Sequence, residues 1–357
     1  MLQIINTLAT AGAEVLLGDL AVHFRRLGVC AEILCLTSDH FPLENRLIAE
    51  GVRVTHSNSR SPYSPLQVLA VRKQILAGRY DLIHSHLFPT QLWTCLGARM
   101  ANRGVPLVTT EHNTWNRRRR AGFRALDRWM YSQYAVVACI GTGTESALQD
   151  WIGHQASTRV VPNGIDLERF TRASRQRSGK DAGARTIVIC VASLSDRKGH
   201  EVLLEAVSQL PETELLLVGD GPRRAELERL AGELGIGERV RFLGVRNDVP
   251  EILANGDIYV QPSHWEGFGI AALEAMASGL PVVASNVAGL REVVGEAGLL
   301  FEAGSATNLR ECLARLIADP DLGFRLGGTG AQRSQEFSIE ATAVAYRELY
   351  KAVLGRA

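Results

Sequence analysis

No stretch of the chain approaches the ~20 consecutive apolar residues that cross a bilayer. The opening "LQIINTLA" shows no basic segment followed by an apolar run and a cleavage site. The expectation is a chain without signal peptide or span, cytoplasmic, whose membrane contact is at most peripheral. Cysteine pairs are missing as well. Cys30, Cys35, Cys95, Cys139, Cys190 and Cys312 are scattered with no C-x-x-C. That spacing argues against a zinc site or a disulfide framework and predicts buried, reduced thiols. Charge of one sign is absent: 39 Lys and Arg against 38 Asp and Glu leave +1. Nothing global points to nucleic acid as a partner. A Walker A sequence and a G-x-G-x-x-G after a strand are both lacking, which disfavours a P-loop NTPase and a simple dinucleotide dehydrogenase.

What is present is alternation. "LQIINTLA", "AEILCLTS", "VRVTHSN", "DLIHSH", "PLVTTEH" and "AVVACIG" read as strands, with amphipathic stretches such as "AEVLLGDLAVHFRRLG" between them. Residues 166–186 are polar, lack apolar periodicity and read as a linker. The pattern restarts with "TIVICVASL", "ELLLVGD", "RVRFLG", "DIYVQPS" and "PVVAS". Strands alternating with helices imply parallel sheets covered on both faces. The expectation is an α/β protein of two doubly wound, Rossmann-like domains facing across a cleft, 1–168 and 169–337. The amphipathic C-terminal helix, about 338–357, is expected to pack back on the first. Such sheets bind ligands outside the carboxyl ends of their strands.

The stretch "HWEGFGIAALEAMASGLPVVAS" carries the chemistry. It reads as a turn, then a helix ended by Gly279. Gly267 and Gly269 let backbone N–H groups approach a ligand, and a helix N-terminus just after them favours an anion. Glu266 and Glu274 lie eight positions apart, ~12 Å if the spacing were helical. That exceeds the ~5–9.5 Å between the carboxyls of a glycoside hydrolase. Two carboxylates flanking an anion-binding turn suit hydroxyls on either side of a diphosphate, as in a nucleotide-sugar. In "VASLSDRKGHEVLLEAV", Arg197 and Lys198 sit between a strand and a helix, where they could neutralise that diphosphate.

Other features read more plainly. His84 and His86 share a face of a strand end; without a third ligand they are read as structural or acceptor-side rather than metal-binding. Asp319 and Asp321, in "ADPDLG", are read as a turn and helix cap. Arg117, Arg118, Arg119, Arg120, Arg124 and Arg128 cluster beside Trp115, Phe123, Trp129 and Tyr131. They are either a solvated helix start or a patch that docks on anionic lipid headgroups or meets a lipid-diphosphate acceptor.

The "E-G-F-G-x3-L-E-A-M-A-x-G-x-P-V-V-A-S" run resembles the E-x7-E signature of retaining GT-B-fold glycosyltransferases of family 4. "VASLSDRKG" resembles that family's phosphate loop, "VPNGID" its interdomain entry and "TAGAEVLLGDLA" its N-terminal Gly-rich loop. The resemblance implies a retaining, metal-independent hexosyltransferase that moves a sugar from a UDP- or GDP-sugar to a hydroxyl of a saccharide or lipid-linked acceptor. It requires no cofactor besides that donor. Cell-surface or capsular polysaccharide or glycolipid assembly is the expected setting. It also implies roles by position. Glu274 holds the ribose hydroxyls, Glu266 contacts the donor sugar, and the backbone of Gly267, Phe268, Gly269 and Ile270 lies along sugar and diphosphate. Lys198 binds the diphosphate, with Arg197 replacing the arginine the family has where this chain has Ser193. His112 approaches the sugar. Gly12 keeps the backbone approach of the N-terminal loop, where Ala11 replaces a glycine. Val245 and Arg246 line the base pocket, with uracil and guanine both open. The alternatives are a nucleotide-sugar epimerase of related architecture and a non-catalytic sugar-nucleotide-binding protein.

Overall fold

The computed structural model describes residues 1–9, 12–114, 119, 121–175 and 185–355. The chain divides into two compact units, Met1–Gly164 with Ile339–Ala357, and Ile165–Ser338.

In the first unit, strands β1 (Leu2–Ile5), β2 (Glu32–Cys35), β3 (Arg53–His56), β4 (Ile83–His86), β5 (Leu107–Glu111), β6 (Val136–Cys139) and β7 (Thr158–Val160) form one parallel sheet. Their order is β3-β2-β1-β4-β5-β6-β7. The crossovers run through α1 (Gly12–Arg26), α2 (Pro42–Ala49), α3 (Gln67–Ala77), α4 (Thr90–Ala101), α5 (Arg124–Ser132) and α6 (Thr142–Ile152). The central strands β1, β4 and β6 are buried at every position. Both faces of a parallel sheet are covered, which suits the largely apolar β1 and β6, while the buried polar residues His84, Ser85 and His86 of β4 are hydrogen-bonded. The edge strand β3 is only half-buried.

The second unit opens with α7 (Leu167–Arg175), followed by β8 (Thr186–Val191), α8 (His200–Ser208), β9 (Thr213–Val218), α9 (Arg224–Glu233), β10 (Val240–Gly244) and α10 (Val249–Ala254). Then come β11 (Ile258–Gln261), α11 (Ile270–Ala277), β12 (Val282–Ser285), α12 (Ala288–Val294), β13 (Leu299–Phe301), α13 (Ala306–Ala318) and α14 (Pro320–Ser334). The sheet order is β10-β9-β8-β11-β12-β13, all parallel. The direction of winding reverses between β8 and β11, and in the first unit between β1 and β4. These are the topological switch points at which doubly wound sheets bind ligands.

The last helix, α15 (Ile339–Val353), belongs to the first unit. Its Ile339, Ala343, Tyr346, Leu349 and Tyr350 complete a cluster with Leu16, Leu20 and Phe24 of α1.

Two expectations needed correction. The polar segment 166–186 is not all linker: its first part is α7, anchored by the buried Phe170 and packed on α10 and α11. Phe170 stands among charged and polar neighbours, which leaves too little periodicity to read. Cys30 is exposed and Cys312 half-buried; the other four cysteines are buried, and all six are unpaired thiols. The short strands β7 and β13, three residues each, were not anticipated. Among the described residues no helix is long and apolar enough to cross a membrane.

Candidate active site

The two loops that carry the acidic and basic motifs meet at the switch point of the second unit. One follows β8 and leads through a 3-10 turn, Asp196–Lys198, into α8. The other follows β11 and leads into α11. Gly199 sits between Lys198 and α8 with φ of 62°, and a Cβ there would fall 2.1 Å from the Pro262 carbonyl oxygen. Only glycine fits both the left-handed backbone and that contact. A backbone hydrogen bond from His264 to the Arg197 carbonyl, 2.9 Å, joins the loops again.

Within this junction Lys198 Nζ donates to Glu266 Oε2 at 2.5 Å, with the two side chains only 12% and 11% exposed. Burial alone would raise the Glu266 carboxyl. The charges of Lys198 and Arg197, with hydrogen bonds from Lys198 and Ser263, override it and hold the acid below its ordinary range. Behind the carboxylate runs a polar relay. The Tyr259 hydroxyl donates to Gln261 Oε1 (2.6 Å), Gln261 Nε2 to Ser263 Oγ (2.9 Å), and Ser263 Oγ to Glu266 Oε2 (3.2 Å). Ser285 Oγ pins the Ser263 carbonyl. Tyr259, Gln261 and Ser263 occupy alternate positions and so share one face of the strand and its extension. Sequence reasoning missed them, although polar residues at i, i+2 and i+4 in an otherwise apolar buried strand were a signal.

Gly269 caps α11 at φ of 101°, opening the N-terminus of the helix. Phe268 is buried and packs edge-on against Phe337, ring centroids 5.6 Å apart, so its side chain serves the core and leaves only its backbone for a ligand. Ile270 and Glu274 are half-buried on α11. Glu274 and Glu266 both act electrostatically on Tyr259, whose phenol is pushed far above its usual range first by burial, then by Cys190 and these acids. The expected helix end holds: Gly279 N–H bonds to the Met276 carbonyl and Leu280 N–H to that of Ala275, a Schellman closure. The cationic loop has its own support. Arg223 pairs with Glu201 (2.7 Å) and Asp196 (3.2 Å), and Glu201 with His264 (2.7 Å). Ser193 is exposed, its hydroxyl 3.3 Å from that of Ser195. Val245 is exposed and lines an open depression of about 470 Å³ with Arg169, Arg246, Asn247, Asp248 and Glu251. There Arg246 is held by Asp248 at 2.5 and 2.7 Å.

In the first unit Gly12 is exposed at the start of α1, while Ala11 lies outside the described residues. His112 follows β5, half-buried, its Nε2 3.4 Å from His86 Nδ1. His86 bonds to Gln3 (2.7 Å), and His84 to the Tyr350 hydroxyl (2.7 Å) and to Thr110 (2.8 Å). Burial holds all three rings in the neutral form, with His112 lowered to about 4 and His84 to about 3. Asp319 caps α14, accepting from Leu322 N–H at 2.9 Å. Of the arginine cluster, Arg117, Arg118 and Arg120 lie outside the described residues, and Arg119 is half-buried. Arg124 and Arg128 donate to the carbonyls of Trp151 and Ile152, closing the C-terminus of α6.

Comparison with known proteins agrees with this architecture. Residues 171–333 match the glycosyl transferases group 1 family, and residues 10–169 match glycosyltransferase family 4. The chain is 31% identical over 388 residues to a D-inositol 3-phosphate glycosyltransferase of Corynebacterium jeikeium, covering 95% of this chain and 91% of the relative. It is 30% identical to a GDP-mannose-dependent alpha-(1-6)-phosphatidylinositol monomannoside mannosyltransferase of Mycolicibacterium smegmatis, covering 74% and 75%. The crystal structure of Anabaena Alr3699/HepE in complex with UDP and glucose superposes with a TM-score of 0.83 at 23% identity, covering 98% of both chains. These findings favour a transferase over an epimerase or a non-catalytic binder. The chain belongs to the family 4 glycosyltransferases of the GT-B fold, with a group 1 domain in its second half, and is a glycosyltransferase.

Proposed function

We propose that the chain transfers a hexose from a nucleoside-diphosphate sugar to a hydroxyl of a saccharide or lipid-linked acceptor, with retention of anomeric configuration and without an obligatory metal ion. The observation that carries this reading is the Lys198–Glu266 pair at the β8/β11 switch point. An almost dry ammonium beside a helix N-terminus is suited to a diphosphate, and a carboxylate held ionised beside it is suited to the sugar. Glu274 accepts from the ribose hydroxyls. The backbone N–H groups of Gly267, Phe268, Gly269 and Ile270 line the sugar and diphosphate. Lys198, assisted by Arg197, stabilises the charge that develops on the departing diphosphate, a contribution worth ~3–4 kcal/mol for a preorganised donor. Arg197 stands in for the arginine missing at Ser193. The depression at Val245 takes the base, and Gly12 and His112 keep the donor-side roles the resemblance gives them.

Relatives acting on inositol phosphate and phosphatidylinositol mannoside support an acceptor of the glycolipid or surface-polysaccharide class. Arg124, with Arg117, Arg118, Arg119 and Arg120, is assigned to an anionic membrane surface on the cytoplasmic side. The test is a donor panel of UDP- and GDP-sugars with a lipid-linked acceptor, the product's anomeric configuration being read by NMR. An α-linked product from an α-linked donor, formed in the presence of EDTA, is expected. An inverted product or strict metal dependence would overturn the retaining, metal-independent reading.

A further inference from the structure

We propose that His40, Glu44 and His56 form a binding site for a divalent transition metal of the Zn²⁺ class, which clamps the edge strand β3 to helix α2. Two of the three lie together at the start of α2 and the third comes from β3. His40 lies just before α2, Glu44 in its first turn, and His56 ends β3. Their donor atoms all lie within 4.8 Å of one another, the one such group of three or more His, Cys, Asp or Glu among the described residues. His40 Nδ1 is 2.7 Å from Glu44 Oε2, and His56 Nε2 is 3.0 Å from Glu44 Oε1.

The proton inventory points to a cation. His56 Nδ1 lies 2.8 Å from the Thr37 carbonyl oxygen, which can only accept, so Nδ1 carries the hydrogen. In the neutral ring Nε2 then presents a lone pair directly to a carboxylate oxygen. Two acceptors at 3.0 Å require something positive between them, either a proton or a metal ion. The Thr37 carbonyl is also the outer-shell partner that fixes a metal-ligating histidine in its ligating tautomer. Glu44 is buried. Its two carboxylate oxygens are turned to the two imidazoles, one to each. Two imidazoles and one carboxylate are the ligand set of three-residue zinc sites, whose fourth position is left to water. Around a tetrahedral ion with ligand bonds of ~2.0–2.1 Å, donor atoms stand roughly 3.4 Å apart. From 2.7 and 3.0 Å the two histidine–carboxylate separations would widen by about 0.7 and 0.4 Å, within a group whose donor atoms already lie inside 4.8 Å. The His40 ring, 72% exposed, can supply that movement and leaves the open position facing solvent.

The clamp acts on an edge. β3 is paired on one side only, to β2, and a metal bridge from its last residue to α2 would close that margin of the sheet.

The test uses the full chain, stripped with EDTA and carrying Cys30→Ser to remove the exposed thiol. Co²⁺ is titrated while the visible ligand-field absorption is followed, then displaced with Zn²⁺. One equivalent of Co²⁺ is expected to give low-coordinate bands that Zn²⁺ bleaches, and Zn²⁺ should raise the melting temperature. His40→Ala, on an exposed ring, and His56→Gln should each weaken binding by at least ~10-fold. If no bands appear and Zn²⁺ leaves the melting temperature unchanged, a proton rather than a metal holds the cluster and the proposal is overturned. Bands that persist at wild-type affinity in both variants place the metal elsewhere and overturn it equally.

Discussion

Lys198 and Glu266 form a nearly dry ion pair that joins the two loops of the β8/β11 junction. Each is nearly dry, so each depends on the other, and removing one partner of a buried pair leaves an uncompensated charge. Lys198→Ala is therefore expected to lower transfer by ~10²–10³-fold and to reduce stability, which steady-state kinetics and chemical denaturation would measure together. Unchanged turnover would show that the ammonium does not face the departing group. Glu274→Gln should weaken donor binding with the circular dichroism spectrum intact, because Glu274 is only half-buried on α11. The acids and the cationic pair were legible in the sequence because their motifs are local. The relay Tyr259–Gln261–Ser263 was not read, because its members lie inside an apolar run and gain meaning only when Glu266 folds over Ser263. The charge run around Arg124 and Arg128 suits either a solvated helix start or a lipid-facing patch, and the carbonyls that these two meet at the end of α6 are more than twenty residues away in sequence.

At the scale of elements, the site depends on two loops held in register. Gly199→Ala combines a left-handed backbone with a Cβ 2.1 Å from a main-chain oxygen, and the backbone term alone costs ~1–2 kcal/mol. The loop after β8 must move away from the loop after β11. Donor affinity should fall with it, which calorimetric titration would detect; an alanine variant with wild-type affinity would refute the close approach. Elements with strong periodicity were legible from the sequence, as were the glycine end of α11 and the aspartate cap of α14. Short edge strands such as β13 carry three residues of signal, and α7 packs on α10 and α11 with Phe170 buried, so tertiary packing decided them.

For the molecule as a whole, two consequences follow. Tyr346 is buried and stacked on Tyr350 within the first unit, far in sequence from the strands it covers. Tyr346→Ala should cost roughly 3–5 kcal/mol, read as a lower denaturation midpoint. Acid should destabilise the fold through its buried histidines. Burial lowers His200 to about 4, and both of its ring nitrogens are buried without a hydrogen-bond partner. The unfolded chain takes up this proton near pH 6.5 while the fold refuses it. The stability is thus fully present above pH 6.5 and is lost as pH falls toward 4, by roughly 3 kcal/mol for His200 alone. His84 and His112 act in the same direction. Denaturation curves from pH 7.5 to 4.5 would measure this, and His200→Leu should flatten part of the slope. The measurement that bears most directly on the central claim is a calorimetric titration of UDP and GDP into the full chain and into Lys198→Ala. The account predicts that one nucleotide binds and that the substitution weakens it by at least ~10-fold, about 1.4 kcal/mol. Equal affinity in the two proteins would contradict the assignment of the β8/β11 junction to the diphosphate.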